Sequence, residues 1–545
     1  MPTSSFYPAI NIPQVDLWGL MFEIEKKEKF PHDKVIYRDA ITRRSYTYAG
    51  VKDAAMSFGY ALISSWSWKK GDVMTIVSPN NIDMPAIIYG TLFAGGVVSP
   101  ANPSYSVDEL AFQLQDSGTT AIATSKSCLS TVTAAAQKIG LCLDRIILLG
   151  DERDPDGQFQ HFDQIAAPPV SPHISRVSVN PLTDLAFLVY SSGTTGLPKG
   201  VMLSHQNIVA NVLMVASSVG TSYSWKDDKL LGILPFYHIY GLTCLIHQPL
   251  HRGIQLVVIQ NFDLELFLGT IEKEKITFTY LAPPVLVKLA TSPLGKKYDL
   301  TSLRMATSGA APLTQSLVAA VHKRLGIKIN QAYGLSETSP ITHTQPWGEW
   351  YDSVGSVGKM MPSLTAKYMS SDGDEVADGE SGELYLKGPS IFKGYWKNRQ
   401  ATEDSFTEDG YFRTGDVGFQ DHNHNFYITD RVKELIKFNG YQVAPAELEG
   451  LLIAHPSIVD VAVFGVDMGH TEVPKAFVVL AEGVEESPNL ANEIIDWMNS
   501  KVVHYKRLRG GIQFLDHIPK SAAGKILRKV LKEMVQQELI AKAKL

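Results

Sequence analysis

Residues 191–200, SSGTTGLPKG, have the side chains of an anion-binding loop. The stretch contains three glycines, four hydroxyl side chains and one lysine, and it follows an apolar run at 184–190 that is typical of a strand. Glycines let backbone N–H groups approach an anion closely, and the hydroxyls and Lys199 add further donors. The spacing matches neither the Walker A pattern nor the GxGxxG dinucleotide pattern. The stretch indicates either a phosphate-binding loop or an ordinary Gly/Ser/Thr surface turn.

Four further polar motifs occur where strands are predicted to end, which is where ligands bind in open α/β folds. Each also fits a structural role, such as a core histidine or a carboxylate that caps a turn or helix. Taken together they supply what a nucleotide needs, namely phosphate donors, a carboxylate for Mg²⁺ and an acid for the ribose hydroxyls. The motifs are PFYHIYG (235–241) with His238, SGAAPL (308–313), QAYGLSET (331–338) with Ser336 and Glu337, and YFRTGD (411–416) with Asp416, which Arg431 follows.

A lysine near the C-terminus has an unusual placement. Lys525 follows a small-residue turn in PKSAAGKILRK (519–529), at the start of a predicted helix. A positive charge there is slightly unfavourable in the field of the helix dipole. The position fits either a solvated lysine or a loop lysine that stabilises charge in a transition state.

The secondary-structure pattern predicts an α/β fold. Apolar runs rich in β-branched residues alternate with helical stretches such as 108–117 and 314–326, which favours largely parallel sheets. An acidic, turn-rich stretch at 370–388 predicts a β hairpin, and a compact α+β module follows near 430. We therefore predict an N-terminal domain at 1–430 and a C-terminal domain at 431–545.

Composition limits the class of protein. A chain of 545 residues is too long for one ordinary core, and a net charge of −6 argues against general nucleic-acid binding. Three cysteines without a CxxC pair fit a reducing compartment. The longest apolar run, 86–98, is too short to span a bilayer and is typical of a buried helix. No secretory signal is apparent at the N-terminus.

The C-terminal residues of the chain have an unusual charge and an unusual terminal tripeptide. Residues 501–545 hold eleven Lys and Arg against three Asp and Glu, which fits an anionic ligand or a solvated helix surface. The last three residues, Ala543-Lys544-Leu545, resemble the terminal tripeptide that the peroxisomal import receptor binds. They predict a peroxisomal location, with the cytoplasm as the alternative.

The motifs, in this order, resemble those of the adenylate-forming superfamily, which contains acyl-CoA ligases, firefly-type luciferases and adenylation domains of peptide synthetases. The likeness runs from about residue 30 to about residue 530 and rests on YSSGTTGLPKG, QAYGLSE, YFRTGD, DRVKELIKFNGYQVAPAELE and PKSAAGKILRK. The match at 430–449 and YKR at 505–507 are most similar to the 4-coumarate–CoA ligase branch.

The resemblance implies a fold and a reaction. The fold is α/β, with a large N-terminal domain of doubly wound sheets plus a β subdomain and a small, mobile α+β C-terminal domain. The reaction is AMP-forming acid–thiol ligation with ATP, Mg²⁺ and coenzyme A (CoA), in which an acyl-adenylate is converted to a thioester. The acid is an aryl acid, of hydroxycinnamate or phenylacetate type, or a medium- or long-chain fatty acid.

The resemblance also implies roles for individual residues. Lys525 bridges phosphate and acyl oxygens during adenylation, His238 shapes the acyl site, and Lys437 and Gln442 reach the site after the C-terminal domain rotates. Glu337 binds Mg²⁺, and Asn439 and Gly440 approach the pantetheine of CoA. The acyl pocket is lined by Tyr237, Tyr240, Cys244, Ala310, Ala332 and Pro340. The nucleotide group comprises Ser191, Ser192, Gly193, Thr194, Thr195, Lys199, Gln331, Ser336, Asp416, Arg431 and Lys433, the last of which matches the hinge.

Three positions depart from the pattern of the relatives. Ser336 stands where many have threonine, which keeps the hydroxyl. Thr307 and Asn261 stand where plant coumarate ligases often carry lysine. Thr307 in place of lysine weakens the case for a 4-hydroxycinnamate substrate. Asn261 in place of lysine removes one positive charge for the CoA phosphates.

Three other functions stay open at this point. A luciferase-like oxygenase shares the adenylating half-reaction and often the same terminal tripeptide. A stand-alone adenylation enzyme loads a carrier protein instead of CoA, but the CoA-type YKR segment favours the ligase. A non-enzymatic scaffold does not need the phosphate loop, Glu337 and Lys525 together.

Overall fold

The computed structural model describes residues 2–26, 29–165, 175–191, 198–220, 222–311, 313–377, 379–439, 441–469, 471–520 and 525–543. Within these ranges, strands β1 to β25 run in chain order over Thr3–Ser4, Val35–Asp39, Ser45–Thr47, Val73–Val77, Val97–Ala101, Thr119–Ser125, Ile146–Leu149, Leu185–Ser191, Lys199–Ser204, Lys229–Gly232, Gln255–Val258, Phe278–Leu281, Met305–Ser308, Ile329–Gly334, Ile341–Thr344, Lys359–Met360, Thr365–Met369, Gly382–Lys387, Phe412–Gln420, Phe426–Arg431, Ile436–Phe438, Tyr441–Val443, Ile458–Asp467, Glu472–Leu480 and Ile512–Phe514.

Sixteen α-helices lie in the same described ranges. Helices α1 to α16 run over Leu17–Phe22, Tyr48–Ser65, Met84–Phe93, Val107–Ser117, Leu129–Lys138, Phe162–Ile165, His205–Val219, Ile239–Gly241, Gln248–Arg252, Leu264–Glu274, Pro283–Thr291, Gln315–Leu325, Arg399–Asp404, Pro445–Leu452, Pro488–Asn499 and Arg528–Ala543. A π-helix, Leu242–His247, joins α8 to α9.

Two mixed sheets form most of the N-terminal part. One has the order β7-β6-β4-β5-β8-β9, and the other has the order β16-β15-β14-β13-β12-β10-β11-β2-β3. Their central pairs are parallel, and antiparallel pairs occur only toward the edges, such as β8 with β9 and β14 with β15. Strands buried on both faces, such as β4, require helices on both sides of the sheet. The predicted α/β class with largely parallel sheets is confirmed.

The apolar run at 86–98 forms two elements and not the single buried helix that we predicted. Helix α3 ends at Phe93, and β5 begins at Val97. Gly95 lies between them with a φ of 71°, a left-handed conformation that glycine adopts without steric cost. An apolar run gives no period that separates helix from strand, so only this turn sets the boundary.

A third, antiparallel sheet has the order β1-β17-β18-β19-β20 and corresponds to the predicted β subdomain. The hairpin expected at 370–388 is formed by β17 and β18. Strand β20 ends this sheet at Arg431, and the next strand begins at Ile436 in a separate hairpin of β21 and β22. The domain boundary predicted at 430 falls at this change of sheet.

The C-terminal part contains its own small core. Strands β23, β24 and β25 form a three-stranded sheet, against which α14, α15 and α16 pack. Leu531 and Val535, four residues apart and so on one face of α16, are buried against this sheet. A large N-terminal domain with mixed sheets and a smaller C-terminal α+β domain is therefore the observed architecture. No helix in the described ranges is both long and apolar enough to cross a bilayer.

Candidate active site

Several of the predicted site residues lie at or just after the carboxyl ends of strands in the two mixed sheets. Strand β8 ends at Ser191, β13 ends at Ser308, and β14 ends at Gly334. The antiparallel sheet adds β19 and β20, which carry Asp416 and Arg431 as a directly paired couple. The sheet edges therefore place motifs that are far apart in sequence around one region.

Asp416 is the centre of a buried polar cluster. Its Oδ1 accepts a 2.8 Å hydrogen bond from Nε of Arg431, and its Oδ2 accepts a 2.6 Å bond from the hydroxyl of Tyr333. The negative charge of Asp416 raises the pKa of Arg431 above its ordinary value. An ionised carboxylate has about four acceptor positions, so these two bonds leave capacity for ribose hydroxyls. Sequence reasoning did not assign Tyr333, although it lies within the QAYGLSET motif.

Lys525 lies within electrostatic range of this cluster. Burial lowers the pKa of its ammonium group to about 8, with the charge of Arg431 as the second cause, while Glu434 and Asp416 oppose the shift. The lysine therefore comes from the C-terminal domain into the region of the N-terminal nucleotide residues. A lysine with a pKa near neutrality can titrate under ordinary conditions.

His238 is only partly exposed, and it lies within electrostatic range of Lys525. Burial, and then the positive charge of Lys525, lower the pKa of the imidazole to about 4. The ring is therefore neutral at neutral pH. Its Nδ1 accepts a 3.2 Å bond from the backbone N–H of Tyr240, which assigns the proton to Nε2. His238 thus presents a neutral N–H donor.

The structure describes only some of the residues predicted to bind the phosphates. Ser191 and Lys199 are paired across β8 and β9, so they stand at the two ends of the predicted loop. Ser192, Gly193, Thr194 and Thr195 lie outside the described residues.

Ser336 and Glu337 begin a short 3₁₀ turn, Ser336–Thr338. Oε1 of Glu337 accepts a 2.9 Å hydrogen bond from the hydroxyl of Tyr395. Mg²⁺ in nucleotide sites usually takes one or two carboxylates together with phosphate oxygens. A single carboxylate oriented by Tyr395, whose ring also contacts Lys199, fits that donor set, so Glu337 fits the implied Mg²⁺.

Two buried donors point to a further ligand contact. Ser308 and Gln331 face each other across β13 and β14. Oγ of Ser308 and Nε2 of Gln331 are buried, and neither has a hydrogen-bond partner among the described residues. Unsatisfied buried donors cost free energy unless a ligand or water accepts from them. This pair fits the polar edge of a bound molecule, as predicted for Gln331 beside the adenine.

One of the predicted acyl-pocket residues, Tyr240, forms an aromatic pair with Tyr280, which we call the aromatic wall. The hydroxyl of Tyr240 donates to the carbonyl of Thr307 at 3.3 Å, and its ring lies edge-on to Tyr280 with centroids 5.8 Å apart. Gly309 lies against this ring, since a Cβ there would come within 3.3 Å of it. Tyr237 is partly buried, and burial raises the pKa of its hydroxyl to about 12. Ala332 and Pro340 are buried, whereas Ala310 is exposed, with a φ of 74°.

Cys244 lies deeper than Tyr240, in the π-helix. It is fully buried, and burial raises the pKa of its thiol. The space that it shares with Tyr223, Phe278 and Tyr280 has no room for a water molecule. The described residues therefore close this end of the aromatic wall.

The residues predicted to act after domain rotation lie elsewhere. Lys437 and Gln442 are paired across the β21–β22 hairpin, and both side chains are exposed. Asn439 at the tip is held by a 2.7 Å bond from its backbone N–H to Oγ1 of Thr471. Lys433 is exposed between β20 and β21, and Gly440 lies outside the described residues. The structure brings Lys525, and not this hairpin, to the nucleotide residues.

Comparisons with known proteins agree with this geometry. Residues 24–396 match the family model of the AMP-binding enzyme, and residues 447–525 match that of the AMP-binding enzyme C-terminal domain. The chain is 36% identical to a probable 4-coumarate–CoA ligase 1 of Dictyostelium discoideum, over 97% of each chain.

Two solved structures extend the comparison. The fold superposes with a TM-score of 0.84 on ATP-bound MatB from Rhodopseudomonas palustris, which is 27% identical over 95% of this chain and 98% of that chain. The TM-score is 0.77 for o-succinylbenzoate CoA synthetase from Bacillus subtilis in complex with its acyl-adenylate, which is 26% identical over 92% and 95% of the two chains.

Proposed function

Because this chain belongs to the AMP-binding enzyme family, we propose that it is a ligase that converts compact aryl carboxylic acids to their CoA thioesters. The chain is an ATP-dependent, AMP-forming acid–thiol ligase.

The observation that carries the substrate class is the aromatic wall. Tyr240 and Tyr280 form an edge-on aromatic pair. We infer that these rings contact a flat acyl group, since aromatic pairs contribute about 0.5–1.5 kcal/mol beyond their buried area. The packed end around Cys244 and Phe278 suits a short acid better than a long alkyl chain. Relatives described as 4-coumarate–CoA ligases support the same class.

Thr307 argues against a substrate with an ionised phenol. Its hydroxyl is buried and donates to Oδ1 of Asn330 at 2.7 Å, while its carbonyl accepts from Tyr240. A threonine at this position therefore offers no positive charge to an acyl group beside Tyr240. A neutral aryl end, as in cinnamates without a 4-hydroxyl or in phenylacetates, fits this wall best.

The first step activates the acid. A carboxylate oxygen attacks the α-phosphorus of ATP, a new P–O bond forms, and pyrophosphate leaves with the electrons of the broken P–O bond. Lys525 stabilises negative charge on the phosphate and acyl oxygens, and Asp416 holds the ribose. Glu337 would hold Mg²⁺, which when bound would neutralise negative charge on the triphosphate.

The second step forms the thioester. The thiol of CoA releases its proton to solvent and its sulfur attacks the acyl carbon of the adenylate. The C–O bond to the phosphate breaks, and AMP leaves with its electron pair. The neutral His238 donates a hydrogen bond from Nε2 within the acyl site. Lys437, Gln442, Asn439 and Gly440 act in this step, after the C-terminal domain rotates about Lys433.

The test is pyrophosphate release from Mg-ATP over a panel of cinnamates, phenylacetates and C6 to C18 fatty acids, each with and without CoA. The proposal predicts release that CoA stimulates for the aryl acids, with a thioester product. Turnover that is equally fast with a C12 to C18 acid contradicts the substrate class. Release without any thioester favours the luciferase-like or carrier-loading reaction instead.

We also propose that the enzyme acts in peroxisomes. The support is the terminal tripeptide, of which Ala543 ends α16 and Lys544 and Leu545 lie outside the described residues. Deletion of Leu545 is expected to move the full-length protein from peroxisomes to the cytosol, as seen by microscopy of an N-terminally tagged chain. Import that does not change on deletion contradicts this location signal.

A further inference from the structure

One short segment connects the two elements that carry the phosphate-side residues. The backbone N–H of Phe392 donates to the carbonyl of Glu337 at 2.9 Å, and that of Trp396 donates to the carbonyl of Gly200 at 2.8 Å. Between these two bonds, Tyr395 forms an isolated antiparallel bridge with Val201 of β9. The backbone therefore holds Tyr395 between Glu337 and the strand that begins at Lys199.

The hydroxyl of Tyr395 has a defined direction. It donates to Oε1 of Glu337 at 2.9 Å, and it also interacts with the side chain of Ser405. Burial, followed by the negative charge of Glu337, raises the pKa of this phenol above its ordinary value. The group is therefore a protonated donor at any working pH. A donor of this kind restricts the rotation of the Glu337 carboxylate.

The ring of Tyr395 faces the other phosphate-side residue. Nζ of Lys199 lies 4.9 Å from the ring centroid, within the range of a cation–π contact. The hydroxyl and the ring of Tyr395 therefore contact two different residues. The hydroxyl orients the carboxylate predicted to bind the metal, and the ring orients the lysine predicted to bind the phosphates.

We propose that Tyr395 is a positioning residue that aligns Glu337 for Mg²⁺ and Lys199 for the triphosphate, so that the two are ready together for Mg-ATP. The inference rests on the proposed function, because it assigns Tyr395 to the metal and phosphate contacts of that reaction. It predicts that Tyr395 affects the binding of Mg-ATP more than the binding of AMP, which has neither the β- nor the γ-phosphate.

A purely structural role for Tyr395 makes a different prediction. The ring also packs edge-on against Phe392, with centroids 5.0 Å apart, so its loss could disturb the segment as a whole. Tyr395→Phe keeps this packing and the ring face toward Lys199, and it removes only the bond to Glu337. Tyr395→Leu removes the ring face as well. The two variants therefore separate the hydroxyl from the ring.

The experiment is titration calorimetry of the full-length enzyme with ATP, with and without Mg²⁺, and with AMP. For Tyr395→Phe we expect the Kd of Mg-ATP to rise about ten-fold, as for loss of a hydrogen bond to a charged group, with the Kd values of Mg-free ATP and AMP unchanged. For Tyr395→Leu we expect Mg-free ATP to bind about three-fold more weakly as well. Tyr298→Phe is the matched control, because it removes a tyrosine hydroxyl that donates to Glu265 at 3.1 Å on the surface, and it should change none of these values.

Three results overturn the inference. If Tyr395→Phe binds Mg-ATP as the wild type does, while the wild type binds ATP more tightly with Mg²⁺, the role of Tyr395 is wrong and the proposed function stands. If Tyr395→Phe loses Mg-ATP and AMP binding equally, Tyr395 is a packing residue. If Mg²⁺ does not change the Kd of the wild-type enzyme for ATP, both the inference and the magnesium part of the proposed function are wrong.

Discussion

Single side chains in the site owe their charge states mainly to burial. Burial lowers the pKa of Lys525 to about 8 and that of His238 to about 4, because desolvation disfavours the charged form of each group. At neutral pH the pair is therefore one cation and one neutral donor. This assignment suits a step in which negative charge grows on phosphate oxygens while the acid must stay ionised.

The lowered pKa of Lys525 predicts a pH dependence of adenylation. Since the charged form is the active one, kcat/KM for pyrophosphate release should fall as the pH rises through about 8, by about ten-fold for each further pH unit. Lys525→Arg should be slower at pH 7 but should show no fall in this range, because a guanidinium stays charged. The measurement is a pH profile of kcat/KM from pH 6 to pH 10. Parallel profiles of the two enzymes would contradict the assignment.

The sequence identified the charged site residues but not their neutral partners. Glu337, Asp416 and Lys525 lie in motifs whose residue types suggest nucleotide chemistry. Tyr333 and Tyr395 act through hydrogen bonds to Asp416 and Glu337, and no local pattern distinguishes such a tyrosine from a core aromatic residue. These contacts join residues 83 and 58 positions apart in the chain, so only the fold reveals them.

Secondary-structure elements were predictable where the pattern had a clear period or clear ends. Helix α4 follows the predicted 108–117 closely, because Ser106 and Glu109 form a capping box and Gly118 ends the helix in a left-handed conformation. The order of strands in the nine-stranded sheet was not predictable, since β2 pairs with β11 across a long stretch of chain. Such non-local pairing depends on packing and not on local sequence.

The C-terminal elements are joined by one buried arginine. Arg528 donates to Glu434 and to Glu449 at 2.7 Å each, and all three side chains are about 15% exposed or less. Arg528→Met should leave two buried carboxylates without this partner and lower the local stability of α14 by about 3–5 kcal/mol. The measurement is hydrogen exchange of the α14 amides by mass spectrometry.

The control for this change is Arg399→Met. Arg399 pairs with Glu403 at 2.6 Å, but its side chain is 90% exposed, so its loss should cost at most about 0.5 kcal/mol. Equal protection of α14 in both variants would show that Arg528 does not hold the elements together.

The whole chain presents two sets of functional residues in two places. Lys525 lies with the nucleotide residues, whereas Lys437 and Gln442 are exposed on the β21–β22 hairpin. A single arrangement of the two domains therefore cannot use both sets. Under the proposed function, this arrangement fits adenylation, and thioester formation uses a second one.

Substitutions in the two sets of residues should impair different half-reactions. Lys525→Ala should lower acyl-adenylate formation by at least about 100-fold, while CoA still consumes supplied acyl-adenylate at a near-normal rate. Gln442→Ala should do the reverse and slow only the thioester step. Single-turnover assays of each half-reaction make the comparison. Equal loss of both half-reactions in either variant would contradict the division.

The most direct test of the central claim follows the oxygen atoms of the acid. An aryl acid selected by the panel is labelled with ¹⁸O in both carboxylate positions and turned over with Mg-ATP and CoA, and the products are analysed by mass spectrometry. Our account predicts one ¹⁸O in AMP and one in the thioester carbonyl, because the attacking oxygen leaves with the phosphate. Unlabelled AMP, or ADP and labelled phosphate in its place, would contradict an acyl-adenylate pathway.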